Sequence, residues 1–252
     1  MDAEFATPAV PALLPTRRAG RQRVLMTADT VGGVWQYALE LCTALVARGH
    51  EVVLATMGAM PNRDQRREAA EIPDLALHSS SYKLLWMDDP WNDLRGAGEW
   101  LMGLAAREHP TVVHLNDFGH GAFPWPAPVL LVGHSCVLSW WQAVHGVPAP
   151  PSWQRYRRCV RNALQAANLV VAPTHAMLHA LRTHYGALPE GRNRFTHFLP
   201  SMNRLACRSW RPRWLAVRWC SATSTACART GRVPRCSSRR LTMPRLHGRC
   251  RA

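Results

Sequence analysis

The fold is decided by residues Arg23 to Thr56, R-V-L-M-T-A-D-T-V-G-G-V-W-Q-Y-A-L-E-L-C-T-A-L-V-A-R-G-H-E-V-V-L-A-T. A short apolar run at 24–26 predicts a buried strand of a parallel sheet, because strands covered on both faces are apolar without alternation. Apolar residues then recur at helical spacing from Val34 to Arg48, and a second apolar run follows at 52–54. The order strand, helix, strand predicts one βαβ unit of a parallel sheet.

The predicted turn between the first strand and the helix is Gly32-Gly33. Glycine lets the backbone turn without a Cβ penalty, and the free N–H groups at the start of the helix suit a phosphate or another anion. The alternative is a tight turn that binds no ligand. Neither G-x-G-x-x-G nor a phosphate-loop lysine follows the strand, so the motif leaves both alternatives open. Gly49 is predicted to end the helix.

The alternation of strand and helix continues to Tyr185. Short apolar runs predict further strands at 75–78, 112–115, 128–132 and 169–172, and longer periodic segments predict helices at 90–107, 153–167 and 174–185. This order predicts an α/β fold class, with a single Rossmann-like, doubly wound parallel sheet over residues 23–192.

The net charge of the chain, +15, is concentrated in its C-terminal part. Thirteen arginines and no Asp, Glu or Lys lie between Arg204 and Arg251, so subtracting thirteen charges from +15 leaves +2 for the other residues. No apolar run is long enough to cross a bilayer, and residues 1–22 lack the apolar core of a signal peptide. We expect a disordered leader at 1–22 on a cytoplasmic protein, and a basic, disordered tail at 193–252.

Polar residues follow the predicted strands at the points where the strands end. Asn116 and Asp117 follow one strand, His134 follows the next, and Thr174 follows a third. In open α/β sheets these positions line the ligand crevice, so we predict that they bind substrate together with the glycine pair. His134 could contact a sugar hydroxyl or a phosphate, or it could be a neutral histidine hydrogen-bonded within the fold. Thr174 is also predicted to cap the following helix.

The sequence offers little support for a metal site. His175 and His179 lie four residues apart on a predicted helix, but the glutamate of H-E-x-x-H is absent. The chain contains no C-x-x-C pair. We therefore expect an exposed helix face, no metal and no cofactor. The pair Trp140-Trp141 is expected to pack within a loop rather than to form a stacking platform.

Five segments occur in an informative order and spacing: T-A-D-T-V-G-G-V-W at 27–35, A-R-G-H-E-V at 47–52, V-V-H-L-N-D at 112–117, G-H-S at 133–135 and L-V-V-A-P-T at 169–174. Together they resemble the N-terminal domain of a retaining glycosyltransferase of the GT-B fold. The family is the large one that includes sucrose synthase and bacterial glycogen synthases, family 4 and its relatives. The resemblance covers residues 23–192.

This resemblance implies two Rossmann-like domains that face each other across a cleft, the N-terminal one holding the acceptor and the C-terminal one the nucleotide sugar. The implied reaction is transfer of a sugar to an acceptor hydroxyl with retention at the anomeric carbon. Gly32 and Gly33 would approach the donor diphosphate or the transferred sugar, and His134 matches a strand-end histidine near that sugar. The implied partners are a nucleotide-sugar donor and an acceptor, and no specific nucleic acid. Peripheral membrane binding and self-association through an exposed domain face are further options.

The tail departs from the family pattern. Residues 204–252 contain no acid and no sustained period, and they are too few for a second domain. With permitted codons, a shifted frame of Met202 to Ala216 can read E-P-F-G-L-S-V-L-E-A-A-L, which is similar to the family's E-x₇-E donor segment. We therefore expect that 193–252 is translated out of frame, and that the chain is an incomplete, inactive glycosyltransferase.

Two other functions stay open at this point. An arginine-rich tail could bind nucleic acid by neutralising phosphates, although its five cysteines and three tryptophans are unusual for a disordered arm. The domain could also be another Rossmann-like protein that binds a phosphorylated ligand.

Overall fold

The computed structural model describes residues 20–186, 188 and 193–195. These residues form a seven-stranded sheet in the order β3-β2-β1-β4-β5-β6-β7, and every neighbouring pair is parallel. The strands are β1 (Arg23–Asp29), β2 (Glu51–Met57), β3 (Leu75–Ser79), β4 (Val112–Leu115), β5 (Val129–Val132), β6 (Leu169–Ala172) and β7 (Asn193–Phe195). The order changes direction between β1 and β4, as it does in Rossmann-like sheets. The predicted α/β fold class is confirmed.

Six α-helices connect the strands of the described part of the chain. They are α1 (Val34–Val46), α2 (Arg63–Ala70), α3 (Trp91–Glu108), α4 (Val137–His145), α5 (Gln154–Ala166) and α6 (His175–Tyr185). Asn62 and Gln65 form a reciprocal capping box at the start of α2, which satisfies two backbone donors that a helix N-terminus otherwise leaves unpaired. Gly49, with φ of +82°, adopts the left-handed conformation that the predicted end of α1 requires.

The two faces of β1 and β2 pack against different helices. Val24 and Met26 lie in one buried cluster with residues of α1, whereas Leu25 lies in another cluster with Leu101 and Leu104 of α3. Successive residues of a strand point to opposite faces, so both faces of the sheet centre are covered. This arrangement explains why the strand sequences are apolar throughout rather than alternating.

One helix was not predicted from the sequence. Trp140 and Trp141 lie on α4, and not in a loop as expected; the helix ends at Gly146, whose φ of +71° is left-handed. In addition, β7 begins one residue past the predicted domain end at 192. The predictions for the leader before residue 20, and for the tail after residue 195, lie outside the described residues. No helix in the described ranges has the length and apolar character needed to span a membrane.

Candidate functional site

The candidate site lies where β1, β4 and β5 end, at the point where the strand order changes direction. Loops on either side of such a switch point diverge and leave a crevice at the carboxyl edge of the sheet. The loop between β1 and α1 carries Gly32 and Gly33, the segment after β4 begins with Asn116 and Asp117, and the segment after β5 contains His134. The fold therefore brings these predicted residues to one edge of the sheet.

Hydrogen bonds to Asp29 hold the loop between β1 and α1. One carboxylate oxygen of Asp29, Oδ1, accepts hydrogen bonds from the backbone N–H groups of Val31 (3.1 Å) and Gly32 (2.8 Å). Burial raises the pKa of Asp29, and these two hydrogen bonds oppose that shift, while the nearby charge of Asp117 adds to it. Asp29 thus fixes the shape of the loop from within.

The glycine pair is not required by backbone conformation, contrary to the expectation from sequence. Gly33 has φ of −69° and ψ of −9°, a conformation that any residue adopts. Gly32 does not have a positive φ either. Gly32 is exposed, and a Cβ added to it would meet only Asp29 Oδ1, at 3.5 Å. Neither backbone strain nor a steric clash therefore explains the glycine at position 32.

The start of α1 next to this glycine pair combines the positive end of a helix dipole with the carboxyl group of Asp29, which accepts the Gly32 N–H. No side chain caps the helix, and its first turn contains no acidic residue. The first N–H groups of a helix have no acceptor within it, and the helix dipole places partial positive charge there. A phosphate or a similar anion is the ligand that such an end accommodates.

Asn116 is the centre of a polar network beneath the site, and it is only 8% exposed. Its backbone N–H donates to Thr27 Oγ1 (3.0 Å), and its side-chain Nδ2 donates to the Thr27 carbonyl (2.7 Å). The amide orientation is therefore fixed, and Oδ1 is left as the acceptor that lies 2.9 Å from His134 Nε2. Consequently His134 carries its proton on Nε2, and its Nδ1 has a free lone pair.

His134 and its neighbour His114 are held in the neutral form. Burial lowers the pKa of His134 to about 3, with a smaller contribution from His114. Burial also lowers the pKa of His114 to about 4, partly offset by a hydrogen bond with Asn116. The ring of Tyr37 packs edge-on against His134, with centroids 4.7 Å apart, and its hydroxyl lies 3.4 Å from His114 Nε2. His134 is thus both hydrogen-bonded within the fold and half-buried at the edge of the site.

These two histidines predict an acid-sensitive stability. Folding lowers the pKa of both histidines. As the pH falls below about 6.5, they therefore become protonated in the unfolded chain but stay neutral in the folded chain. The free energy of unfolding should decrease between about pH 6.5 and pH 4, by up to about 1.4 kcal/mol per pH unit for each histidine. Urea denaturation at several pH values measures this slope.

His134→Gln should make the slope shallower, because one of the two groups no longer titrates. His179→Gln is the matched control, since this ring is exposed on α6 and lies near Thr183. It should retain the slope of the unaltered protein. An identical slope in all three proteins would contradict the buried, neutral state of His134.

Asp117 forms part of the same edge of the sheet and interacts with a buried histidine. Its Oδ1 accepts a hydrogen bond from the Gly119 N–H (2.7 Å) and lies 3.3 Å from His120 Nδ1. Thr27 Oγ1 donates to Oδ2 at the long distance of 3.4 Å. Burial raises the pKa of Asp117, but the charge and hydrogen bond of His120, with the Gly119 N–H, outweigh it, so the pKa lies below its ordinary value.

Thr174 is the N-cap of α6, as the sequence predicted. Its side-chain oxygen accepts a hydrogen bond from the Met177 N–H at 3.0 Å and caps α6. Thr174 is exposed beyond the end of β6. In the ranges that the structure describes, no hydrogen bond connects it with the Asn116 network.

Replacing Thr174 with valine should lower the free energy of unfolding by about 1 kcal/mol, the usual value of an N-cap. Valine has nearly the same shape but offers no acceptor to Met177. Thr174→Ser keeps the acceptor and should retain most of the stability. Chemical denaturation of the three proteins tests the cap, and equal loss in both variants would contradict it.

Four residues of the network were missed by sequence reasoning: Thr27, Tyr37, His114 and His120. His114 and Thr27 are polar residues inside otherwise apolar strands, and that was the available signal. Tyr37 falls within the helical spacing of α1, which gives no sign of a polar role, and His120 lies in a turn without a recognisable motif. Among the described residues, no group of three or more His, Cys, Asp or Glu side chains could hold a metal ion. His175 and His179 are exposed on α6.

A parallel sheet with a glycine loop, an uncapped helix start and polar groups at its switch point defines a Rossmann-like protein with a candidate ligand site at the carboxyl edge. The chain belongs to Glycosyltransferase Family 4, whose family model matches residues 31–197. No curated protein sequence matches the chain significantly.

Solved structures of glycosyltransferases of the GT-B fold share the architecture at low sequence identity. Sucrose-phosphate synthase from Thermosynechococcus elongatus is 17% identical, with a TM-score of 0.51 over 69% of this chain and 47% of that one. UGT2 of Phytolacca americana, complexed with UDP-2-fluoro-glucose and pterostilbene, is 12% identical, with a TM-score of 0.45 over 69% of this chain and 52% of that one. The chain spans about half the length of the structures it matches. The predicted resemblance to the N-terminal domain of this class is confirmed.

Proposed function

We propose that this chain carries the acceptor-side domain of a retaining glycosyltransferase, which transfers a sugar from a nucleotide sugar to an acceptor hydroxyl. Membership of Glycosyltransferase Family 4 supports the general reaction. The observation that carries the assignment of the site is the glycine pair at the switch point. Gly32 is exposed, has no positive φ, and lies beside a helix start that no side chain caps.

The glycine pair would allow a ligand to approach the backbone closely. A side chain at Gly32 would occupy the space directly above the first turn of α1, where an anion gains from the helix dipole. Donor diphosphate oxygens, or hydroxyl groups of the transferred sugar, are the groups that fit this position. The departing nucleoside diphosphate gains negative charge as the bond to the sugar breaks, so partial positive charge here would stabilise the transition state.

His134 and Asp117 would orient the sugar. Because Asn116 fixes the proton on Nε2 of His134, Nδ1 is available to accept a hydrogen bond from a sugar hydroxyl. Asp117 is 21% exposed, and its Oδ2 has a single long hydrogen bond. Asn116 itself makes its contacts within the protein, so its contribution is to support His134. Thr174 is proposed to lie at the margin of the site, as the cap of α6.

We also propose that the domain described here catalyses sugar transfer only slowly by itself. The family builds its donor site from a second Rossmann-like domain, and one domain can supply only one side of the cleft. Weak or absent sugar transfer, together with detectable ligand binding, is the expected behaviour of the protein in solution. Robust transfer by the purified chain would overturn this part of the proposal.

Gly32→Ala and Gly32→Val test the site. Neither change should reduce the free energy of unfolding, since the only atom near the new Cβ is Asp29 Oδ1 at 3.5 Å and an alanine at a compatible backbone position is neutral or stabilising. Gly32→Val should weaken binding roughly tenfold or more, about 1.4 kcal/mol or more, by obstructing the approach of the ligand. Calorimetric titration with UDP-, ADP- and GDP-glucose measures the effect.

Gly103→Val is the matched control, because a Cβ there meets only Arg107 Nη1 at 3.6 Å and the residue lies within α3, away from the switch point. It should leave binding unchanged. Equal affinity of Gly32→Val and the unaltered protein for each ligand that binds would contradict the assigned site. Binding of a nucleotide regardless of its sugar would favour a Rossmann-like protein with a different phosphorylated ligand.

A further inference from the structure

His120 is the most deeply buried ionisable side chain near the site, with 1% of its surface exposed. It lies in the turn after β4, and its Nε2 is 3.1 Å from the backbone carbonyl of Leu94 in α3. A carbonyl oxygen can only accept, so Nε2 must carry a proton. The ring packs at 5.4 Å from the ring of Phe123. The Leu94 contact and the Phe123 ring fix the orientation of the imidazole.

The other ring nitrogen of His120 faces a carboxylate. Nδ1 lies 3.3 Å from Asp117 Oδ1, and it is a buried nitrogen without a hydrogen-bond partner in the described part of the chain. A lone pair on Nδ1 would repel the carboxylate oxygen, whereas a proton there would attract it. A second proton makes the ring an imidazolium, and the charge is then buried together with its counter-charge.

The other groups packed around Asp117 supply no positive charge in the described part of the chain. Asp29 at the end of β1 brings a second carboxyl group close enough to interact with it. On α5, burial raises the pKa of the Cys159 thiol to about 11, with a further contribution from the charge of Asp117. Thr27 supplies only a long hydrogen bond. Among the described groups around Asp117, His120 is therefore the one that can carry a positive charge.

We propose that His120 is a positioning residue, whose buried imidazolium keeps Asp117 ionised and fixed in orientation at the edge of the sheet. Its role in ligand binding rests on the function proposed above. An ionised carboxylate has about four acceptor positions, and His120 with Gly119 occupies those of Oδ1. Oδ2 is left to accept a hydrogen bond from a hydroxyl group of the sugar. His120 itself does not touch the ligand.

NMR of the full chain tests the charge state without any ligand. In protein labelled with ¹⁵N at histidine, both ring nitrogens of His120 should show imidazolium shifts at pH 7, with the ring identified in the unaltered protein by its through-space contact with the Phe123 ring. In protein labelled with ¹³C at the aspartate carboxyl carbon, Asp117 should protonate at a lower pH than an ordinary aspartate. The ¹⁵N measurement needs only the unaltered protein, so it decides the charge state even where a variant fails to fold.

His120→Gln retains hydrogen-bonding groups but cannot be charged, so the midpoint of the Asp117 titration should move to higher pH. Phe123→Leu is the matched control, because it removes packing against the His120 ring and leaves the contact with Asp117 in place. It should lower stability and leave the midpoint unchanged. Neutral-imidazole shifts for His120, or equal midpoints in His120→Gln and the unaltered protein, would overturn the proposal.

Binding of UDP-glucose adds a separate readout. His120→Gln should weaken binding roughly tenfold, the effect of a lost charge-assisted hydrogen bond, and the loss should grow as the pH is lowered. An equal affinity, with the Asp117 midpoint shifted as expected, would overturn the role in binding. Absence of binding by the unaltered protein would instead count against the proposed function. The two NMR measurements would still decide whether His120 and Asp117 are both charged.

Discussion

Replacement of Asn116 by leucine will lower the free energy of unfolding by about 2–5 kcal/mol, because it leaves at least two buried polar groups without partners. Leucine has the same number and branching of side-chain heavy atoms, so the loss comes from hydrogen bonds and not from a cavity. The Thr27 carbonyl loses the donor at 2.7 Å, and His134 Nε2 loses its acceptor at 2.9 Å. Urea denaturation at pH 7.5 measures the change.

The same substitution at an exposed position provides the control. Asn92 lies in the first turn of α3, where its side-chain oxygen accepts from Arg95 at 2.7 Å in solvent. Asn92→Leu should change stability by less than about 0.5 kcal/mol. In Asn116→Leu the ring of His134 should also lose its fixed tautomer, which ¹⁵N shifts report. A stability loss no larger than that of Asn92→Leu would show that the Asn116 network contributes little to the fold.

Gly121→Val will destabilise the protein by about 3 kcal/mol, the upper part of the usual range for overpacking a buried site. A Cβ on Gly121 would lie 2.7 Å from Ala163 Cβ and 3.1 Å from Ala163 Cα. The second of these atoms belongs to the backbone of α5, which cannot move aside as a flexible side chain does. Gly121 therefore allows the turn after β4 to lie directly against α5.

Gly103→Val separates this steric effect from the effect of removing a glycine. It lies in α3 with its nearest neighbour, Arg107 Nη1, at 3.6 Å from an added Cβ. Because glycine is a poor helix former, the change should raise stability by a few tenths of a kcal/mol. Thermal and urea unfolding of both variants should therefore move in opposite directions. A similar response at both positions would contradict the close contact between Gly121 and Ala163.

The strand and helix pattern was predictable because the signals are local. The apolar run at 24–26 and the helical spacing that follows it depend on neighbours within a few residues, and so does the glycine that ends α1. Helix α4 was missed because Trp140-Trp141 suggested an aromatic loop and the N-cap, Cys136, is not a usual capping residue. Gly146 after α4 was a local signal that could have indicated a helix end.

The site was predictable only in outline. The rule that ligands bind beyond the carboxyl ends of strands identified Asn116, Asp117 and His134 from their positions alone. It could not show that Asn116 is an internal support, since its partner Thr27 is 89 positions away in sequence. The role of Gly32 was also beyond local reasoning, because the motif suggested a strained turn and the backbone shows none. Contacts between distant segments decide which polar residues face the ligand and which hold the others in place.

The central position of β1 has a consequence for folding kinetics. β1 pairs with β2 across the short connection through α1, but its other neighbour, β4, follows only after two further strands. Closing a longer loop costs more entropy, and pairings between distant segments form late. The segment β1-α1-β2 can therefore assemble early as a local unit, whereas the contact of Asn116 with Thr27 completes only when β4 docks. A nascent chain would thus complete the edge of the candidate site only after β4 has docked, and a ligand that bound at the proposed site would select molecules that have passed this step.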